Sequence, residues 1–184
     1  MIILLDSGHG EETPGKSAGD LQEWRFTRNV VKYISCELKH LRIPHYVLVC
    51  EDHDVSLKQR TNRADEAALK HKEETGEGSI LLSVHGNAFA KDESANGIET
   101  WYYSKGKKMA QVFQDELVKE LEWKDRGIKR GEFWIIRKSS MPAVLTESGF
   151  YTNPEQREEM LTPKCQRRIA KAHVSAIKKI INDK

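Results

Sequence analysis

The sequence lacks the features that would tie it to a disulfide scaffold, a membrane or a nucleic acid. It has only three cysteines, Cys36, Cys50 and Cys165. The number is odd and no CxxC spacing occurs, which excludes a disulfide framework or a thiolate metal site as the organising feature. Long hydrophobic runs are missing as well. The opening run Ile2–Leu5 meets Asp6 after four residues, whereas a membrane span needs about 20 apolar residues and a signal peptide needs a basic start and a longer apolar stretch. The expectation is a chain made in the cytoplasm, either cytosolic or a mature form whose leader is missing, with no membrane partner. Neither charge predominates, with 30 basic against 28 acidic residues and a net charge of +2. A nucleic-acid partner usually needs a basic stripe, so none is expected. No low-complexity linker and no internal repeat divides the 184 residues, so one domain over 1–184 is predicted, with 38% hydrophobic residues to build its core.

What the sequence does have is alternation. Short apolar runs predict strands at Ile2–Asp6, His45–Val49, Ser79–His85, Ile98–Tyr103, Phe133–Ile136 and Ala143–Glu147. Several are almost continuously apolar, as expected for strands covered on both faces. Between them, apolar residues recur every three to four positions. Phe26, Val30, Ile34, Leu38 and Leu41 predict a helix over Glu23–Leu41. Leu57, Ala64 and Ala68 mark a weaker helix, and Met109, Val112, Phe113, Leu117 and Leu121 a third. A short helix is expected after Asn153, opened by Pro154. The last carries Cys165, Ile169, Ala172, Ala176 and Ile180, with Thr162 as N-cap and Pro163 at its first position. Cys36 and Cys165 fall on apolar helix faces and read as buried small hydrophobes. The pattern is that of an α/β fold around a largely parallel or mixed sheet. In such folds ligands bind beyond the carboxyl ends of the strands.

Chemistry-bearing residues cluster in that same place. His9 follows the first strand in LLDSGHG, His85 ends SILLSVH, and Glu147 ends AVLTE. Glu23 opens the first helix, which starts near the same rim. Two histidines and a carboxylate make a sound zinc site, with a fourth position left for water. Zinc lowers the pKa of that water to about 7. A further carboxylate is then needed to accept its proton and pass it to a departing amine. Glu147 suits this, because partial burial at the end of an apolar strand raises a carboxyl pKa. Each residue also has a duller reading. A lone histidine is more often structural or exposed, and a glutamate at a helix start often only favours the helix dipole. An acid within an apolar strand is costly unless paired or functional. His40, His45, His53, His71 and His173 lack a partner pattern and read as solvated or structural. Gly8 and Gly10 beside His9 read as letting the backbone turn tightly and the ring face a ligand, and, with Gly86 beside His85 and Gly149 near Glu147, as small residues that make room for a substrate. Asn87 offers an amide for a substrate carbonyl or for a supporting hydrogen bond.

Taken in order, LLDSGHG, EWRFTRNV, EDHDVSLKQRTNRAD, SVHGNAF, GIETWYY and RGIKRGEFWIIRKSSMPAVLTESGFYTNPEQ resemble the segments of the zinc-dependent N-acetylmuramoyl-L-alanine amidases of the amidase 3 type, found among autolysins and phage endolysins. The resemblance covers nearly the whole chain. It implies a single catalytic domain, a twisted mixed six-stranded sheet flanked by about five helices, and one Zn²⁺ per chain. It also implies peptidoglycan as substrate, cut between the lactyl group of N-acetylmuramic acid and L-alanine. Matched residue by residue, the zinc ligands would be His9, Glu23 and His85, and the catalytic glutamate Glu147. Ser7 stands where the family commonly has Pro, Gly86 where it has Ala, and NRAD around Arg63 where Ala-Asn is usual. Some members carry a long inhibitory helix between the second histidine and the catalytic glutamate. Here the 62 positions from His85 to Glu147 are expected to hold a strand, one helix and another strand, so an open enzyme without an activator protein is expected. Two rival readings stand beside this one. A zinc peptidase could cut within the stem peptide, although its His and Glu ligands usually lie three residues apart and His9 and Glu23 lie 14 apart. An inactive wall-binding protein would not need the base at Glu147.

Overall fold

The computed structural model describes residues 1–13, 15 and 17–183. Its strands are β1 (Ile2–Ser7), β2 (Ser17–Ala18), β3 (Leu21–Gln22), β4 (His45–Val47), β5 (Ser79–Asn87), β6 (Ile98–Tyr102), β7 (Asp125–Arg130) and β8 (Ala143–Phe150). Six of them form one mixed sheet in the order β4-β1-β5-β8-β6-β7, while β2 and β3 form a separate two-stranded pair. Pairing is parallel from β4 through β8 and again between β6 and β7, and only β6–β8 is antiparallel. Among the described residues, six α-helices surround the sheet: α1 (Glu23–His40), α2 (Leu57–Thr75), α3 (Lys107–Leu121), α4 (Trp134–Lys138), α5 (Pro154–Leu161) and α6 (Pro163–Asn182).

Strand alternation assigns the two faces. Ile3, Leu5, Ile80, Leu82, Val84 and Val144 point into the larger core, shared with α1, α3 and α6. Leu4, Leu81, Ala143 and Leu145 point into a smaller core with Ala64 of α2 and Ile135 and Ile136 of α4. The central strands are therefore buried on both faces, which is why their sequences read as unbroken apolar runs. Helix punctuation follows the residues expected of it. Ser56 and Gln59 cap α2 reciprocally, and Gly76 ends it in a left-handed conformation. Thr162 caps α6, accepting from the Cys165 amide, with Pro163 at the first position.

Two elements differ from the sequence reading. Phe133–Ile136 is not a strand: Phe133 is the N-cap of the short helix α4. A four-residue apolar run cannot distinguish a buried strand from a buried helical turn. The sixth strand is instead β7, DRGIKR, whose polar sequence gave no apolar signal because it lies at a sheet edge. Cys165 is buried as expected, but Cys36 is exposed. At 100° per residue Cys36 lies about 200° from both Ile34 and Leu38, the buried stripe of α1. Leu41 falls one residue past that helix and is exposed.

Candidate metal centre

The end of β1 carries His9 into the site through a backbone that the sequence does not advertise. His9 itself adopts φ 64°, a left-handed conformation uncommon for a non-glycine residue. It is held by its carbonyl. Arg60 of α2 is buried, donates to His9 O at 2.8 Å and pairs with Asp6 Oδ1 at 3.0 Å. Arg28 of α1 reaches His9 O at 3.2 Å and Ser7 O at 3.1 Å, and also meets the Ser7 hydroxyl. Asp6 completes the frame by accepting from Ser83 Oγ at 2.6 Å, and Thr27 Oγ1 donates to Gly8 O at 2.8 Å. Arg63, from the segment that departs from the family pattern, takes no part: it pairs with Glu51 at 2.7 Å on the surface side of α2.

Glu23, the first residue of α1, is 4% exposed. Its two carboxylate oxygens face the two histidines, Oε1 at 3.0 Å from His85 Nδ1 and Oε2 at 3.2 Å from His9 Nε2. Tyr151 donates its hydroxyl to Oε2 at 2.9 Å, and the Gly86 amide donates to Oε1 at 3.3 Å. Burial alone would push this carboxyl up. The hydrogen bonds from His85 and His9 outweigh burial and hold its pKa down at about 2. Burial likewise pulls His9 down, and its contact with Glu23 overcomes this and leaves the imidazole above its usual value. The imidazole rings stand edge to face, with centroids 5.2 Å apart.

One ligand atom from each of His9, Glu23 and His85 lies within 4.8 Å of the others. A tetrahedral ion with bonds of 2.0–2.1 Å sets its ligand atoms about 3.3 Å apart. The Glu23–histidine separations, 3.0 Å from Oε1 to His85 and 3.2 Å from Oε2 to His9, approach that spacing, and the donor set is two imidazoles and an ionised carboxylate. The residues present therefore fit a single divalent ion such as zinc.

Glu147 is the register partner of His85 across the parallel β5–β8 pair, so their side chains leave the same face of the sheet. It does not end its strand, since β8 continues to Phe150. His9, Glu23, His85, Asn87 and Glu147 all line one cleft of about 410 Å³. Its far wall is Leu57, Phe133, Trp134 and Ile135, so α4 supplies a side of the site that the sequence reading did not provide. The interval between His85 and Glu147 thus holds one more α-helix than expected. Asn87 donates to Glu99 Oε2 at 3.3 Å while its own Oδ1 accepts from the Ala88 amide.

The glycines make room for protein more than for substrate. A Cβ on Gly8 would lie 2.3 Å from the His85 ring, and one on Gly10 2.5 Å from the Asp54 backbone. On Gly86 it would meet Met160, Tyr151 and Phe26, and on Gly149 Met160 and Trp123. The supporting frame of Arg60, Asp6, Arg28 and Tyr151 was missed by sequence reasoning. Only Asp6 left a signal: an acid inside a buried apolar strand must have a partner.

Residues 3–179 match the family model described as N-acetylmuramoyl-L-alanine amidase. The chain is 31% identical over 156 residues to the N-acetylmuramoyl-L-alanine amidase LytC of Bacillus subtilis, covering 82% of this chain and 29% of that protein. Among solved structures, an N-acetylmuramoyl-L-alanine amidase from Clostridium difficile 630 superposes with a TM-score of 0.91 at 29% identity, over 100% of this chain and 97% of that one. The catalytic domain of the amidase CwlV from Bacillus (Paenibacillus) polymyxa gives 0.88 at 27% identity, over 100% and 99%.

Proposed function

Because the chain belongs to the N-acetylmuramoyl-L-alanine amidase family, we infer that it hydrolyses the amide between the lactyl group of N-acetylmuramic acid and the L-alanine of the peptidoglycan stem peptide, with one zinc ion held by His9, Glu23 and His85. The observation that carries this reading is the convergence of those three side chains in a cleft that Glu147 also lines. When bound, zinc polarises a carbonyl and brings the pKa of water to about 7. Everything else falls to the chain's own residues. Glu23 stays ionised because His85, His9 and Tyr151 hydrogen-bond it, and a ligand must be deprotonated to bind. Arg60 and Arg28 hold His9 in its left-handed conformation and so spare the ion the work of ordering the loop. Glu147 takes a proton from the attacking water and returns it to the L-alanine nitrogen as the peptide leaves. Asn87, fixed by Glu99, presents its amide to substrate at the cleft edge. Leu57, Phe133 and Trp134 present an apolar surface to the substrate along the cleft.

The test separates metal binding from proton transfer. Glu147→Gln is expected to retain one zinc per chain and to lose release of intact stem peptides from purified peptidoglycan, read by mass spectrometry, by about 10²-fold or more. His85→Ala is expected to lose both. Wild-type cleavage rates in Glu147→Gln would remove the assigned proton carrier, and shortened stems among the products would point to a peptidase.

A further inference from the structure

The row of side chains that begins at His85 continues across the sheet past Glu147. Glu99 of β6 is the register partner of Glu147, so His85, Glu147 and Glu99 stand side by side on three neighbouring strands. Glu99 is buried and carries two cations, Arg126 Nε at 2.6 Å and Lys129 Nζ at 2.7 Å, both from β7. Residues three apart on a regular strand point to opposite faces. Here they point to the same one, because β7 contains a bulge: Ile98 pairs with Asp125 and Thr100 with Ile128, so one extra residue is inserted. Gly127, at φ 77° within that insertion, permits it. Bulges of this kind re-aim side chains beside active sites.

Resting on the amidase reading, we propose that Arg126 and Lys129 form a carboxylate-recognising subsite for the stem peptide and determine specificity for its second residue. Among the described residues, Glu99 is the one carboxylate paired with either cation, so one positive charge is left in excess. Their side chains keep 29% and 35% exposure, which leaves donors facing outward. Lys129 lies over the Trp101 ring, which meets Phe133 of the cleft wall edge-on at 5.2 Å. On the other side Glu99 holds Asn87 of the cleft. The subsite is thus tied to the cleft by two contacts. Strands lie about 4.8 Å apart, which places the cations about 5 to 10 Å from Glu147. An extended peptide advances about 3.4 Å per residue. A stem whose L-alanine nitrogen sits at Glu147 then brings the carboxylate of its second residue to Arg126 and Lys129.

Two muramoyl peptides identical except at the second stem residue, one with a free carboxylate and one with the amide, decide the matter. The wild-type enzyme is expected to favour the carboxylate substrate by about tenfold in kcat/KM, mainly through KM, as a charge-assisted contact would give. Lys129→Gln and Arg126→Gln should each bring the ratio close to one, by lowering kcat/KM for the carboxylate substrate more than for the amidated one, and Lys129→Arg should keep much of the preference. Zinc content and melting temperature report that the variants are folded; should Arg126→Gln fail to fold, Lys129→Gln alone decides. A wild-type ratio near one, or a ratio unchanged in Lys129→Gln, overturns the subsite and leaves the amidase reading standing. Cleavage of neither substrate by the wild type overturns both.

Discussion

Glu23 shows how much of the site depends on a single side chain. It spans both histidines with one oxygen each, and its ionised form is secured before any ion arrives. Gly8 sets the distance on which this depends. A methyl group there would lie 2.3 Å from Cε1 of His85, so the imidazole would have to leave the position in which it meets Glu23. Gly8→Ala is therefore expected to lower zinc affinity by about 10- to 100-fold, the scale seen when a ligand's orientation is lost, while circular dichroism stays that of the folded chain. Competition with a chromophoric chelator measures it; unchanged affinity would mean that the ring is placed by something other than this close approach. At this scale the sequence was legible in the chemistry and opaque in the support. His9, Glu23, His85 and Glu147 stand out because they are donors within or beside apolar strands or at a helix start, and the fold gathers them in one cleft, although β5 and β8 run on past His85 and Glu147. Arg60 and Tyr151 lie in segments that carry the family resemblance, but nothing in their local pattern assigns them a partner, and only the fold brings them to His9 O and Glu23 Oε2. The role of Gly8 was misjudged for the same reason, since its neighbour in space is 77 positions away in the chain.

Elements were legible wherever a capping residue or a long period marked them. The Thr162–Pro163 start of α6 was readable because the cap is a local hydrogen bond, Cys165 N to Thr162 Oγ1 at 3.1 Å. Thr162→Ala removes that acceptor and should cost about 1 kcal/mol of stability. In urea titrations the midpoint should fall without a change in slope, because the surface exposed on unfolding is the same. A changed slope, or no shift, would contradict the assignment of that cap. The elements that were misread, α4 and β7, are short and take their state from tertiary surroundings. Phe133–Ile136 has the composition of a strand, yet Ile135 and Ile136 are buried against α2 from one helical turn. β7 has the composition of a loop, yet its backbone completes the sheet beside β6, with its charges toward Glu99 and solvent. Both misreadings matter to function, because α4 walls the cleft and the bulge of β7 places the cations of the proposed subsite.

The whole molecule has two unequal cores divided by the sheet, and the larger contains a titratable group. His173 of α6 is fully buried. Its Nε2 meets Thr146 Oγ1 of β8 at 2.9 Å, its Nδ1 meets Ile169 O at 2.8 Å, and its ring lies 5.8 Å from that of Phe113 in α3. Since a carbonyl only accepts, Nδ1 carries the hydrogen and Nε2 accepts from Thr146, so the neutral ring satisfies both partners. Burial pushes its pKa from the ordinary 6.5 down to about 4. The folded state therefore binds this proton less readily than the unfolded chain. By linkage, stability is full above about pH 6.5 and falls as the pH drops towards 4, by about 2 kcal/mol at pH 5. His9 works the other way, because its raised pKa makes the metal-free fold bind a proton more readily than the unfolded chain. The wild-type slope alone is thus a mixture. The difference between wild type and His173→Gln, both stripped of metal and unfolded with urea at pH 7.5 and pH 5, isolates the buried ring. His173→Gln is expected to be less stable than wild type at pH 7.5 and to lose about 2 kcal/mol less on going to pH 5. If both proteins lose the same stability, His173 is not the group through which acid opens this core.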